Sequence, residues 1–347
     1  MESRKLEYSE SQNLLLISFL IAMSGSAIAI WGGSWDVTSH LLNIPDTFFT
    51  PSHLILYSGV GISVIGAILG LGILFFKKEI RQNSVSLGVK MIIVGSVFQL
   101  ITGPGDFYWH AAFGIDGLLS PTHIIILLGM MMVALGSVIG IARMKTHFGG
   151  NVNFYKIILP VSFGVFWFIS ISFNFMFILP ISEGETHNFN PDPYVAIGLA
   201  FGLPLVGSMI FLTAVRFVGF GAGILSVASL VILNITSDVL TNELLYQYIP
   251  LYGAPIIASV IAEIILKKRL RYSEKISGAI MGSMFFVYCF PLVTMTFLLF
   301  ELSPDVLAYD VLHIYPNLVF QYWGFTMIPG AIFGLVGSLI IKKIIRG

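Results

Sequence analysis

The chain has 347 residues, of which 56% are hydrophobic and only 10% charged, with a mean hydropathy of +0.90. About a quarter of the residues of a soluble domain are charged, so this composition excludes a water-soluble globule and makes lipid the solvent for most of the chain. Eighteen basic residues balance eighteen acidic ones, and with no basic patch nucleic acid is excluded as a partner.

A membrane-spanning helix needs roughly 20 apolar residues. Ten such runs follow one another, beginning near Asn13, Ser52, Val85, Thr122, Tyr155, Tyr194, Val218, Leu251, Ile276 and Trp323. The predicted fold is an all-α, polytopic transmembrane bundle of about ten spans. The first run resembles a secretory signal but lacks a small-x-small cleavage site, so it reads as a retained span. The break near Arg216 is the shortest.

With ten spans, all 18 Lys and Arg fall on one face. They are Arg4 and Lys5, the Lys77–Arg81 loop with Lys90, Arg143, Lys145, Lys156, Arg216, the Lys267–Lys275 cluster and the Lys342–Arg346 tail. The positive-inside rule makes that face cytoplasmic, with both termini there, in a multi-pass protein of the plasma membrane. Glu263, four residues before Lys267, predicts an ion pair at that interface. Lys90 is expected to snorkel. The glycines of Gly59–Gly72 and Gly219–Gly223 predict close helix packing. The single cysteine, Cys289, reads as a small buried apolar residue.

Six of the seven histidines lie on the opposite, extracytoplasmic side, four of them in two loops. The first loop carries Asp36, His40, Asp46 and then Thr50-Pro51-Ser52-His53. The second carries Asp106, His110, Asp116 and then Ser120-Pro121-Thr122-His123. The two superpose at a shift of 70 residues without a gap. Such self-similarity reads as a parallel duplication of one helix hairpin. It divides the chain into residues 1–145, with four spans and both clusters, and residues 146–347, with six spans.

The spacing has a physical meaning. Asp and His four apart share a helix face. Thr50 or Ser120 suits an N-cap and the proline suits the first helical position. His53 and His123 then fall in a first turn, where the positive end of the helix dipole favours neutral imidazole. Two imidazoles and a carboxylate converging on one point form a ligand set for copper, zinc or iron. The predicted ligands are Asp36, His40 and His53 in one site and Asp106, His110 and His123 in the other. Asp46 and Asp116 are candidates to hydrogen-bond a ligand imidazole, or simple turn residues. Capping and interfacial anchoring are the structural alternatives for the whole pattern. Trp35 and Trp109 suit an interfacial aromatic belt.

The run from Asp36 through His40 to Thr50-Pro51-Ser52-His53 resembles the metal-binding signature of the C subunit of copper-containing membrane monooxygenases, the particulate methane and ammonia monooxygenase family. The resemblance covers about residues 30–145. It implies copper on Asp36, His40 and His53, and a second site at His110 and His123, where Asp106 stands in place of the family's Asn. It further implies dioxygen activation for oxidation of a small substrate such as ammonia or a short hydrocarbon, with other monooxygenase subunits or further copies of this chain as partners. The chain has six spans beyond the matching region. Two other classes stay open from the residues themselves: a transporter or metal-handling protein without oxygenase activity, and a haem protein with paired histidines as axial ligands.

The later outer loops hold Glu183, Glu185, His187 and Asp192, then Asp238, Asn242 and Glu243, then Asp305, Asp310 and His313. His187 and His313 read either as extra ligands or proton-relay groups or as solvated loop residues.

Overall fold

A computed structural model of the chain describes residues 2–41, 47–113, 119–149, 151–178, 192–239, 246, 249–284 and 327–344. Among the described residues there are helices and turns and no strand. In chain order the helices are α1 (Glu2–Leu41), α2 (Pro51–Phe76), the short α3 (Lys78–Gln82), α4 (Ser86–Phe113), α5 (Pro121–Phe148) and α6 (Val152–Phe175). They continue with α7 (Pro193–Ala200), α8 (Gly202–Val218), α9 (Ala222–Val239) and α10 (Ile249–Lys267). Residues 273–284 form α11, and Met327–Ile344 forms α12.

Seven helical stretches among the described residues are long and apolar enough to cross a membrane, with α7 and α8 together making one of them; Ala222–Asp238 is a shorter apolar helix. Ile65, Ile68, Leu71, Phe75 and Phe76 on α2 and Val94, Val97 and Ile101 on α4 are exposed on the bundle surface. In water such a surface would be a large apolar patch; in lipid it is the ordinary boundary. The chain is an integral membrane protein.

Prolines at the first helical position start α2, α5 and α7. Their ring fixes φ where the helix needs it, at a site whose N–H has no helical partner anyway. Ser120 caps α5 with its hydroxyl, which accepts from His123 N at 3.0 Å. Thr50 holds the same place before α2, but its hydroxyl donates back to Thr47 O at 2.9 Å and makes no side-chain cap. Asp192 accepts from Tyr194 N and Val195 N and so caps α7.

The most extensive helix contacts are α1 with α2 and α4 with α5, two hairpins that also touch each other through α1–α5 and α2–α4. Glycine makes both hairpins close. A Cβ on Gly25 would lie 2.6 Å from Gly59 O, and one on Gly59 would lie 2.6 Å from Gly25 O. The same reciprocal contact joins Gly95 and Gly129, at 2.5 and 2.8 Å. Gly95 and Gly129 stand 70 residues after Gly25 and Gly59, the shift that relates the two Asp/His loops. One helical turn pair further along, Gly66 meets Ser18 O at 2.9 Å, and Gly136 meets Gly88 O at 2.7 Å. Without a Cβ, the backbones approach until dispersion acts between main chains, which is how apolar helices associate in lipid.

The glycine-rich stretches divide by role. Gly61 and Gly72 face open space, so they pack nothing. Gly219 and Gly221 have φ of 114° and 92°, in the region only glycine adopts freely, and form the turn between α8 and α9. That turn is the short break after Arg216.

Glu263 does not pair with Lys267. It is fully buried on α10, and its carboxylate accepts the N–H groups of Gly221, Gly223 and Ile224, the last at 3.0 Å. These are unpaired donors at the start of α9, where the helix dipole also favours a negative charge. Lys267, exposed one turn later, stands 4.8 Å above the Phe220 ring instead. A partner four residues away cannot compete with three buried donors. Replacing Glu263 by Leu is expected to destabilise the protein by roughly 3 kcal/mol or more, since each stranded donor costs about 1–3 kcal/mol. Lys267→Ala should cost well under half of that, and thermal unfolding in detergent of the two variants side by side reads the difference.

The basic loops share one end of the bundle. Arg143 reaches Ser84 O, His147 Nε2 meets Ser84 Oγ at 2.8 Å, Lys145 reaches Phe217 O and Arg216 pairs with Glu274 at 2.6 Å. The Asp/His segments occupy the opposite end.

Candidate metal centre

Three predicted ligands come together at the far ends of α4 and α5. Asp106 and His110 lie one turn apart on α4, with His110 Nε2 3.4 Å from Asp106 Oδ2. His123, in the first turn of α5, brings its Nε2 to 3.3 Å from Asp106 Oδ1. One ligand atom from each residue lies within 4.8 Å of the others, and all three side chains are half-buried. The two imidazole rings are 5.5 Å apart and inclined at 50°. Thr122 donates to Asp106 Oδ1 at 2.5 Å and holds the carboxylate from the side away from His110.

The first hairpin repeats these contacts. Ser52 Oγ donates to Asp36 Oδ1 at 2.8 Å, and His53 Nε2 lies 3.2 Å from the same oxygen. His40 belongs to the last turn of α1, but its side chain lies outside the described part.

His53 carries a further detail. Its Nδ1 lies 2.9 Å from Thr47 O. A carbonyl only accepts, so Nδ1 must hold a proton. Nε2 of the neutral ring is then a lone pair aimed at a carboxylate oxygen 3.2 Å away. Two acceptors face each other at that distance only with a cation between them, a second proton or a metal ion. The carbonyl of Thr47 thus fixes the tautomer that metal binding needs. Asp46 was the sequence candidate for that duty; Asp46 and Asp116 lie outside the described residues.

Metal-ligand bonds of about 2.0–2.1 Å set at right or tetrahedral angles place ligand atoms about 2.9–3.4 Å apart. The Asp–His separations at both hairpins, 3.2 to 3.4 Å, fall in that range. The donor set of one carboxylate and two imidazoles suits copper, zinc or iron and is too rich in nitrogen for magnesium or calcium. The residues present therefore fit a transition metal.

An aromatic collar joins the two hairpins at this end. Phe48, just before α2, packs on Phe107, next to Asp106, with centroids 5.3 Å apart. Phe48 also meets Tyr57, whose ring stacks on His53. The two Asp/His groups are thus neighbours on one end of the bundle. Trp35 packs on Trp31 and Trp109 on Phe113.

Other predicted positions stand elsewhere. Asp238 is buried against the opposite face of α1 from Asp36, where Thr38 donates to it at 3.1 Å. Glu183, Glu185, His187, Asn242, Glu243, Cys289, Asp305, Asp310 and His313 lie outside the described residues. Sequence reasoning missed the roles of Ser52 and Thr122 as hydrogen-bond donors to the Asp carboxylates. The signal was present: a hydroxyl residue immediately precedes each first-turn histidine. Compared with protein-family models, with curated proteins and with solved structures, the chain finds no match.

Proposed function

We propose that this is a membrane metalloprotein that holds a transition metal, copper by preference, at Asp106, His110 and His123, and a second ion at Asp36, His40 and His53. The observation that carries the reading is the Asp106 carboxylate flanked by two Nε2 atoms at 3.3 and 3.4 Å. The recurrence of the same contacts at Asp36, Ser52 and His53 supports it, as does the recurrence of the glycine pairs at the same shift. We take the two hairpins as copies of one ancestral unit, with the sites on the extracytoplasmic side of the plasma membrane, opposite the basic loops.

The chain's own groups divide the work. Asp106 supplies the anionic ligand and Thr122 orients it. Ser52 does the same for Asp36, while Thr47 O directs the His53 ring. Phe48, Phe107 and Tyr57 give the neighbourhood an apolar wall that limits water. A bound copper ion would supply open positions for dioxygen and a small substrate such as ammonia or a short hydrocarbon. Membership of a monooxygenase complex follows from the Asp36–His53 signature and stands as a proposal with the rest.

The test is metal analysis of the detergent-purified protein after loading with copper, zinc or iron and desalting. About one retained ion per intact cluster is expected, with nitrogen splitting in the copper paramagnetic resonance spectrum. A folded protein that retains none of the three metals would sink the proposal. Substrate oxidation without added partner subunits, measured by oxygen uptake, then separates a self-sufficient oxygenase from a subunit or a metal carrier.

A further inference from the structure

Helices α11 and α12 cross with their backbones in contact. A Cβ on Gly278 would lie 2.6 Å from Gly334 O, and one on Gly282 would meet Gly330 O. Gly278 against Gly334 and Gly282 against Gly330 make the pair antiparallel. Glycine brings the backbones together, but the small side chains beside this seam leave a cleft. Ala279 and Ser283 on α11 and Ala331 on α12 line a groove of about 440 Å³, together with Ile276, Ile280 and Leu335. Ser283 donates its hydroxyl proton back to Ile280 O at 3.0 Å, so this stretch is apolar in effect.

One end of the groove is cationic. Tyr272, just before α11, and Lys275 line it there. Lys275 Nζ stands 5.6 Å from the centre of the Tyr272 ring, and Arg271 Cζ stands 5.2 Å from it. The ring thus gathers two positive charges. Among the described residues no carboxylate pairs with either of them. Glu274, the acid between them in sequence, is held by Arg216 at 2.6 Å. Lys275 is half-buried, and an ammonium drawn out of water needs an anion beside it. Two cations and a phenol hydroxyl at one rim suit a phosphate, which accepts several charge-assisted hydrogen bonds at once.

The dimensions point to an amphiphile. From Tyr272 to Ser283 the groove follows eleven residues of chain, about 16 Å at 1.5 Å per residue. The hydrocarbon core of a bilayer is about 30 Å thick, so this is the depth of one leaflet. The cationic rim belongs to the basic end of the bundle, where lipid headgroups lie, and the apolar stretch leads from there toward the midplane. A soluble anion would leave that stretch uncovered. An apolar helix would cover it and leave the two cations unpaired.

We infer that the groove between α11 and α12 binds an anionic phospholipid, with its phosphate at Arg271, Tyr272 and Lys275 and an acyl chain along Ala279, Ser283 and Ala331. The lipid completes the charge balance of the basic end and fills the cleft beside the glycine seam. The site does not depend on the metal reading.

Delipidated protein in detergent is titrated with phosphatidylglycerol or phosphatidylcholine of identical chains, and bound lipid is counted by native mass spectrometry. Saturable binding of about one phosphatidylglycerol per chain is expected, roughly tenfold or more tighter than phosphatidylcholine. The double variant Arg271→Gln, Lys275→Gln should erase that preference. Ala331→Phe, which fills the groove and keeps both cations, should weaken binding of phosphatidylglycerol by roughly tenfold or more. Lys156→Gln, an exposed cation on α6 at the same end of the bundle, should change nothing. Equal binding of the two lipids by the wild-type protein overturns the inference, as does a preference that survives the double variant. The double variant lies away from the packed seam and decides the matter even where Ala331→Phe does not fold. Displacement of phosphatidylglycerol by inorganic phosphate at equal concentration would mark a bare anion site and overturns it too. Absence of saturable lipid binding leaves the groove to another part of this chain or to a partner, and overturns it equally.

Discussion

Asp106→Asn is expected to abolish metal retention at the α4–α5 cluster while leaving the protein folded. The amide keeps the shape of the side chain and can still meet Thr122. It removes the negative charge on which both imidazoles converge. Loss of a group that merely orients a ligand costs about 10–100-fold in metal affinity; loss of the anionic ligand itself should exceed that range. Thr122→Val tests the smaller effect and is expected to fall inside it. Calorimetric metal titration of the three proteins at fixed pH gives the ranking. Equal affinity for wild type and Asp106→Asn would mean that metal, if bound at all, sits elsewhere. The corresponding Asp36→Asn protein should lose only the ion of its own hairpin, so the double variant should retain none.

Gly129→Ala is expected to be severely destabilised, although alanine is the better helix former. The added methyl would lie 2.8 Å from Gly95 O and 3.0 Å from Gln99 Cγ. Overpacking of an ordinary core costs about 1–3 kcal/mol because side chains can shift. Here the nearest obstacle is a helix backbone, so α4 and α5 must separate as rods. Gly59→Ala should behave alike, since its Cβ would meet Gly25 O at 2.6 Å. Gly61→Ala and Gly72→Ala, which meet nothing within 4 Å, should be neutral or slightly stabilising. Thermal unfolding and monodispersity in detergent distinguish the pairs. If Gly129→Ala and Gly61→Ala proved equally stable, the close contact of α4 with α5 would be wrong.

What the sequence made legible was whatever depends on local spacing. Lipid as solvent followed from composition, and most span starts followed from apolar runs. The Asp106–His110 pair followed from a four-residue interval, and the first-turn place of His53 and His123 followed from the preceding proline. Roles that depend on a partner far along the chain were not legible. Glu263 read as the i,i+4 partner of Lys267, because nothing in the sequence announces that α10 lies against the start of α9. Asp238 read as a loop residue, though the chain brings Ser34 and Thr38 to it from about 200 positions away. The glycines at the 70-residue shift were visible in the sequence. Their meaning needed the hairpins, because glycine is frequent here and, among the described residues, only some make the reciprocal contact, as Gly25 with Gly59, Gly95 with Gly129, Gly88 with Gly136 and Gly278 with Gly334 do.

Helix α1 is a wall shared by two unlike polar groups. Asp36 looks to α2, while Ser34 and Thr38, from the same two turns, look to α9. Because both faces belong to one helix, a rotation of α1 about its axis would disturb both sets of contacts at once. The contacts of Asp36 and those of Asp238 are therefore expected to respond together to substitutions that shift α1.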